Sequence, residues 1–213
     1  ATTAEETTTE AAEETTEAAK TEDEAVAIAN SIGYPIVMKM TSKTTSHKTD
    51  VGGVRVGIAS EEALRREYRD LIAKLTERGL DKGLEGVLIQ EMVKSSREMV
   101  CGLATDPQYG PMIMFGLGGV FVEVLKDISF RIAPLTDQDA SEMVRSVKAW
   151  KLLEGVRGLP RAQTDKIEET LLRLSQLVTD FPRVSELDIN PLMISDKDGE
   201  AIAVDARVKL AKA

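Results

Sequence analysis

The 213 residues are enough for one large domain or two small ones, and the lone Cys101 excludes an internal disulfide framework, which fits a reducing cytoplasm. No apolar run approaches the roughly 18 residues of a membrane span, no signal peptide is visible, and no basic stripe interleaved with aromatics speaks for nucleic acid. The net charge of −9 is concentrated at the start: residues 1–24 hold nine acids against one lysine, and the rest of the chain nearly balances.

Residues 1–23 are a low-complexity tract of Thr, Ala and Glu without a large apolar side chain, so no share in a core is expected of them. A regular pattern then begins, and two subdomains are expected at 24–93 and 94–213. AVAIANSIG reads as a short helix closing at Gly33, and PIVMKM as a strand carrying Lys39. The loop TSKTTSHKTDVGG follows and holds the only histidine, His47. Neutral imidazole is a competent nucleophile near pH 7. Its hydroxyl and lysine neighbours, with Gly52 and Gly53, would suit a phosphoryl group. A polar surface loop explains the same residues, and both accounts stay open at this point.

VRVGI (54–58) reads as the next strand. Ser60 should cap a helix running to Gly79, with Leu64, Tyr68, Leu71, Ile72 and Leu75 on one face. Strands are expected over 86–93, 97–105 and 111–116, then a glycine loop GLGG (116–119), then strands 121–125 and 129–133. Thr136 and Asp139 resemble a capping box for a helix reaching about Trp150, and a second long helix should start near Asp165. Cys101, in an apolar run, reads as a buried structural thiol.

VSELDINPLMIS and EAIAVDARV, joined by DKDG, read as a hairpin. If Asp196–Gly199 form its loop, Asn190 lies opposite Asp205, and Asp188 and Glu186 share the face of Asn190. Two carboxylates and an amide oxygen would suit Mg²⁺ bridging to phosphates; solvent-facing polar positions on an edge hairpin would account for them equally. Pro191 falls where it could interrupt the pairing. The whole is α+β, with antiparallel sheets and packed helices.

Taken in order, IGYPIVMK, HKTDVGGV, QEMV with REM, GPMIMFGLGG, VEVLKDISFRIAPL, ELDINPL and AVDARV resemble one family. It is the ATP-grasp domain of nucleoside-diphosphate-forming acyl-CoA synthetases, and in particular the beta subunit of ADP-forming acetyl-CoA synthetases; the resemblance covers roughly residues 24–210. The resemblance implies that Lys39 meets the nucleotide phosphates, and that Glu91, Met92 and Val93 form the hinge against adenine. It places Glu98 near the ribose, with Gly52, Gly53, Gly118 and Gly119 in the nucleotide-binding loops. Asp188, Asn190 and Asp205 match Mg²⁺ ligands, Arg131 a phosphate contact, and His47 the phosphoryl acceptor. The implied reaction is acyl-CoA + ADP + phosphate ⇌ acid + CoA + ATP. No G-x-G-x-x-G unit for CoA is visible, so a CoA-binding alpha partner is expected, in an assembly of two alpha and two beta chains. The competing expectation is a nucleotide-sensing module that binds ATP without phosphoryl transfer.

Overall fold

Thr21 starts the first helix in the computed structural model, which describes residues 18–42, 52–119 and 126–211. Its hydroxyl accepts from the Glu24 N–H while the Glu24 carboxylate accepts from the Thr21 N–H, closing both halves of a capping box. Helix α1 (Glu22–Ile32) ends at Gly33, whose φ of 91° lies where side-chain-bearing residues are strained. The low-complexity tract therefore ends sooner than composition suggests. Ala19 is buried and exchanges two backbone hydrogen bonds with Val87, both 2.8 Å. A small side chain fits a close strand-to-strand contact, which a search for large apolar residues overlooks.

The described residues separate into two compact units, dividing between Met92 and Val93, one residue before the expected boundary. The first holds α1, β1 (Ile36–Ser42), β2 (Val54–Ile58), α2 (Glu61–Glu77) and β3 (Leu84–Glu91). Its antiparallel sheet runs β2-β1-β3. Ser60 caps α2 by accepting from the Ala63 N–H, and Glu61 and Glu62 complement the helix dipole. Leu64, Leu71 and Leu75 recur on one stripe of α2 and are buried with Ile36, Met38 and Met40 of β1.

The second unit holds β4 (Arg97–Asp106), β5 (Gly110–Leu117), β6 (Ile128–Ile132), α3 (Asp137–Ser146), α4 (Trp150–Leu153), α5 (Thr164–Asp180), β7 (Val184–Ile194), β8 (Ala201–Ala203) and β9 (Ala206–Leu210). Its sheet runs β6-β5-β4-β7, and β8 and β9 both pair with β7. One face is apolar: Met99, Cys101, Leu103, Ile113, Phe115, Leu187 and Ile189 are buried with Met143, Val144, Ile167 and Leu171 of the helices. The expected strand over 121–125 lies outside the described residues.

Helix α3 stops at Ser146 instead of Trp150. The cause is long-range. The buried Asp127 carboxylate accepts from the Lys148 and Ala149 N–H groups, each at 2.7 Å, and Val147 is extended. A partner some twenty residues upstream thus replaces the helical acceptors, and no local pattern announces it.

Candidate nucleotide site

Strand parity on β7 sorts the hairpin residues. Leu187 and Ile189 enter the core, so Glu186, Asp188 and Asn190 face the opposite side, where they are exposed. Leu192 faces Ala203 and Ile189 faces Ala206, so one register holds on both sides of Pro191. The partner strand opens instead, between β8 and β9. There the Asn190 N–H donates to the Asp205 carbonyl at 3.1 Å, and the Val204 N–H to the Pro191 carbonyl at 3.3 Å. Asn190 and Asp205 are thus neighbours, as the four-residue loop implies, and Ser195 and Glu200 close that loop with a 2.8 Å hydrogen bond.

The electrostatics of this face follow from crowding. Although exposed at its edge, the Asp188 carboxyl is partly desolvated by the surrounding sheet, which pushes it above its ordinary range; the Arg207 charge opposes the shift and the Asp205 charge adds to it. Two carboxylates that repel each other, with an amide oxygen beside them, form a hard-oxygen donor set that a divalent cation would relieve. Among the described residues no three His, Cys, Asp or Glu side chains group together, so Asn190 is needed as the third donor. Glu186 shares this face but is engaged by Lys209, at 2.5 Å.

Gly102 lies between Asp188 on β7 and Met114 on β5. A Cβ there would stand 2.3 Å from the Leu187 carbonyl oxygen, so the position takes no side chain and the floor of the face stays flat. Beside it a cavity of about 440 Å³ is bordered by Met114 and Phe130 and by Glu186, Asp188, Arg207 and Lys209. Its lining is mostly apolar, with two carboxylates and two cations at its border, a mixture that suits a ligand with an apolar ring and a charged part. Arg207, Met114 and Phe130 were not singled out by the motifs. The signal for Arg207 was available, because the hairpin register that pairs Asn190 with Asp205 also pairs Asp188 with Arg207.

At one end of β4, Glu98 gathers the glycine loop. The Gly118 N–H donates to the Glu98 carbonyl at 2.8 Å, and a Cβ on Gly119, at φ 65°, would lie 2.8 Å from the Glu98 carboxylate. Glu98, Gly118 and Gly119 are therefore brought together. Arg131 is not brought to this face. It lies opposite the core residue Ile113 on β5, which turns its side chain to the helix side, where it pairs with Glu142 of α3 at 3.8 Å. The sequence expectation of a phosphate contact rested on its motif, and parity separates it from Asp188 and Asn190.

In the first unit, Lys39 sits in the central strand β1, between Val54 and Leu88, and is buried. Met38 and Met40 enter the core, so Lys39 faces away from the helices. The Gly53 carbonyl accepts from the Met40 N–H at 2.8 Å, while Gly52, at φ 70°, gives its carbonyl to Arg55. Arg55 is itself held by Asp70 at 2.9 Å and Glu67 at 3.2 Å. Glu91 ends β3 opposite Ile36, and Met92 and Val93 straddle the division of the two units. His47 lies outside the described residues.

Comparison with known proteins fixes the family. A model of the ATP-grasp domain matches residues 11–210. The ADP-forming acetate–CoA ligase I subunit beta of Pyrococcus furiosus is 42% identical over 189 residues, covering 89% of this chain and 81% of the subunit. The ADP-forming acetate–CoA ligase I of Archaeoglobus fulgidus is 48% identical over 188 residues, but the chain spans only 27% of that protein's length. Among solved structures, the dinucleotide-forming acetyl-coenzyme A synthetase 1 of Candidatus Korarchaeum cryptofilum, in complex with coenzyme A and Ca-AMPCP, matches with a TM-score of 0.84 at 43% identity, over 92% of this chain and 84% of that one. Another structure of the same synthetase, with Mg-AMPPCP and a phosphohistidine segment pointing towards the nucleotide binding site, matches at a TM-score of 0.74 and 38% identity, over 91% of this chain and 85% of that one. Among the described residues no helix is long and apolar enough to cross a membrane. The chain is an ATP-grasp domain and belongs to the family of the ADP-forming acetate–CoA ligase beta subunits.

Proposed function

We propose that the chain is the nucleotide-binding part of a cytoplasmic ADP-forming acyl-CoA synthetase, which interconverts acyl-CoA, ADP and phosphate with acid, CoA and ATP. The observation that carries the proposal is the hairpin register, which sets Asn190 beside Asp205 and Asp188 on the same open face. The relatives that share this chain's length and fold bear that activity in their names.

In this proposal the Lys39 ammonium steadies the nucleotide phosphates, and the backbone of Gly52, Gly53, Gly118 and Gly119 lets them approach closely. Met92 and Val93 meet the base through their backbone beside Glu91, and Glu98 lies towards the ribose. Asp188, Asn190 and Asp205 hold Mg²⁺, which when bound offsets the charge of the approaching phosphates. His47 carries the phosphoryl group. In the ATP-forming direction a terminal oxygen of ADP attacks the phosphorus on His47. The P–N bond breaks, its electron pair returns to the imidazole, and the new P–O bond completes ATP. The CoA site and the acyl chemistry reside in a separate alpha partner, in an assembly of two alpha and two beta chains.

The test is phosphoryl transfer. With γ-labelled ATP and Mg²⁺, alone and with the partner, the chain should acquire acid-labile, base-stable label that His47→Ala abolishes. Nucleotide binding with no label under either condition would contradict the relay and favour a sensing role.

A further inference from the structure

Glu91 closes β3, Arg97 opens β4, and Met92–Ser96 connect the two strands. A connector outside any strand is free to take several backbone paths unless other groups fix it. Here the fixing groups come from 100 residues further along the chain.

Strands β4 and β7 run antiparallel, and Arg97 faces Ile194 at the end of their pairing. Beyond that point the two segments stay side by side. The Asp196 N–H donates to the Lys94 carbonyl at 3.0 Å. Oδ1 of the Asp196 carboxylate accepts from the Ser96 N–H at 3.1 Å and from the Ser96 hydroxyl at 2.9 Å. Three hydrogen bonds of one residue thus converge on Lys94 and Ser96, and the two that the carboxylate accepts are charge-assisted. Between them, the Ser95 hydroxyl donates to the Ile194 carbonyl at 2.7 Å and accepts from the Arg97 N–H at 3.1 Å.

The turn that carries Asp196 is itself braced. The Gly199 N–H donates to the Ser195 carbonyl at 3.0 Å. That carbonyl also accepts from the buried Arg97 guanidinium at 3.2 Å, which reaches the Leu152 and Pro160 carbonyls as well, at 3.3 and 2.8 Å. Gly199 packs so closely on Arg161 that a Cβ would stand 2.1 Å from the Arg161 carbonyl oxygen, and the Gly199 carbonyl accepts from the Gln163 N–H at 2.8 Å. Asp196 is therefore fixed to the body of the second unit and is not a free loop tip. The same strand, β7, carries Asn190 beside Asp205. One hairpin holds the metal donors along its length and, at its turn, the segment that follows Met92 and Val93.

We propose that Asp196 is a positioning residue of the nucleotide site: it fixes the Val93–Ser96 backbone relative to Asn190 and Asp205, and so aligns the base with the phosphates. The inference rests on the reading of Met92 and Val93 as the segment that meets the base. Contacts made by backbone depend on the path of the chain, so a residue that sets the path governs them without touching the ligand.

The test is ADP binding to the chain, measured calorimetrically with Mg²⁺ and with chelator, for the parent, Asp196→Ala and Asp196→Asn. Asp196→Ala should weaken ADP about tenfold under both conditions, so that the gain from Mg²⁺ is kept. Loss of Asp188 or Asp205 should instead erase that gain. Asp196→Asn keeps an oxygen that accepts from Ser96 and should recover most of the affinity. An Asp196→Ala protein that binds ADP like the parent, or that loses the Mg²⁺ gain as well, would overturn the proposal. So would an Asp196→Asn protein as weak as Asp196→Ala. A parent chain that binds no ADP under either condition would overturn the nucleotide reading, and this inference with it.

Discussion

Each unit has an apolar core, and the two differ in what supplements it. The first joins its elements at the surface by charge: Glu22 at the start of α1 meets Arg65 and Arg69 of α2, and Arg55 of β2 meets Asp70 and Glu67 of α2. In the second, the ion pairs of α5 stay within one helix, one longer pair, Arg131–Glu142 at 3.8 Å, links strand to helix, and the main tie is a larger continuous apolar core. Surface pairs are screened and individually weak, whereas buried apolar area is neither. The sites differ likewise, since the first unit offers a buried cation, Lys39, and the second a crowded pair of carboxylates.

The comparison should break most visibly in the larger core. Phe115 is fully buried, and Phe115→Ala should destabilise the second unit by about 3–5 kcal/mol in denaturant unfolding. A loss below about 1 kcal/mol would show that the apolar core does not dominate that unit. Asp127→Ala should come next, at about 2 kcal/mol, because it leaves the Lys148 and Ala149 N–H groups without their acceptor. Hydrogen exchange should rise at those two amides first.

These two predictions mark where the sequence was legible. The Thr136–Asp139 capping box, the stripe of Leu64, Leu71 and Leu75, and the hairpin register are local or periodic signals, and the structure carries each of them. The end of α3 at Ser146 was not legible, because Asp127 acts from a distant part of the chain. Nor was the face of Arg131, since a motif does not state parity. Ala19 escaped notice because its partner, Val87, lies far along the chain. At the site, the neighbourhood of Asn190 and Asp205 could be read from loop length alone. The bare floor at Gly102 required the neighbouring strand.

A smaller effect should separate the units in acid. Arg69 and then Arg65 hold the Glu22 carboxyl below its usual range, and Lys74 and then Arg55 do so for Asp70. Groups with lowered folded values stabilise fully above their unfolded values, and that stability is lost as pH falls through the folded ones. From about pH 4.5 downwards the first unit should therefore loosen at its α1–α2 and β2–α2 seams. High salt should mimic part of this. Glu169 of α5 is held low likewise, by Arg173 and Lys166 of its own helix, so the contrast lies at the seams between elements, and seams that stay closed in acid would remove it.

The smallest effect is a reactivity that should be almost absent. Burial, with the Asp188 charge behind it, pushes the Cys101 thiol up to about 12. At pH 8 the folded chain should resist alkylation, and the unfolded chain should react readily. Rapid labelling of the native chain would mean that the β4 core opens far more often than its packing implies.

The most direct test of the account is Mg²⁺-dependent ADP binding to the chain, measured calorimetrically for the parent, Asp188→Asn and Asp205→Asn. The account predicts that the parent binds ADP more tightly with Mg²⁺ than with chelator. Each substitution should erase most of that difference, by about tenfold or more, while binding without metal stays similar. Unchanged Mg²⁺ dependence in both variants would contradict it, and the open face of β7 would not be the metal–nucleotide site.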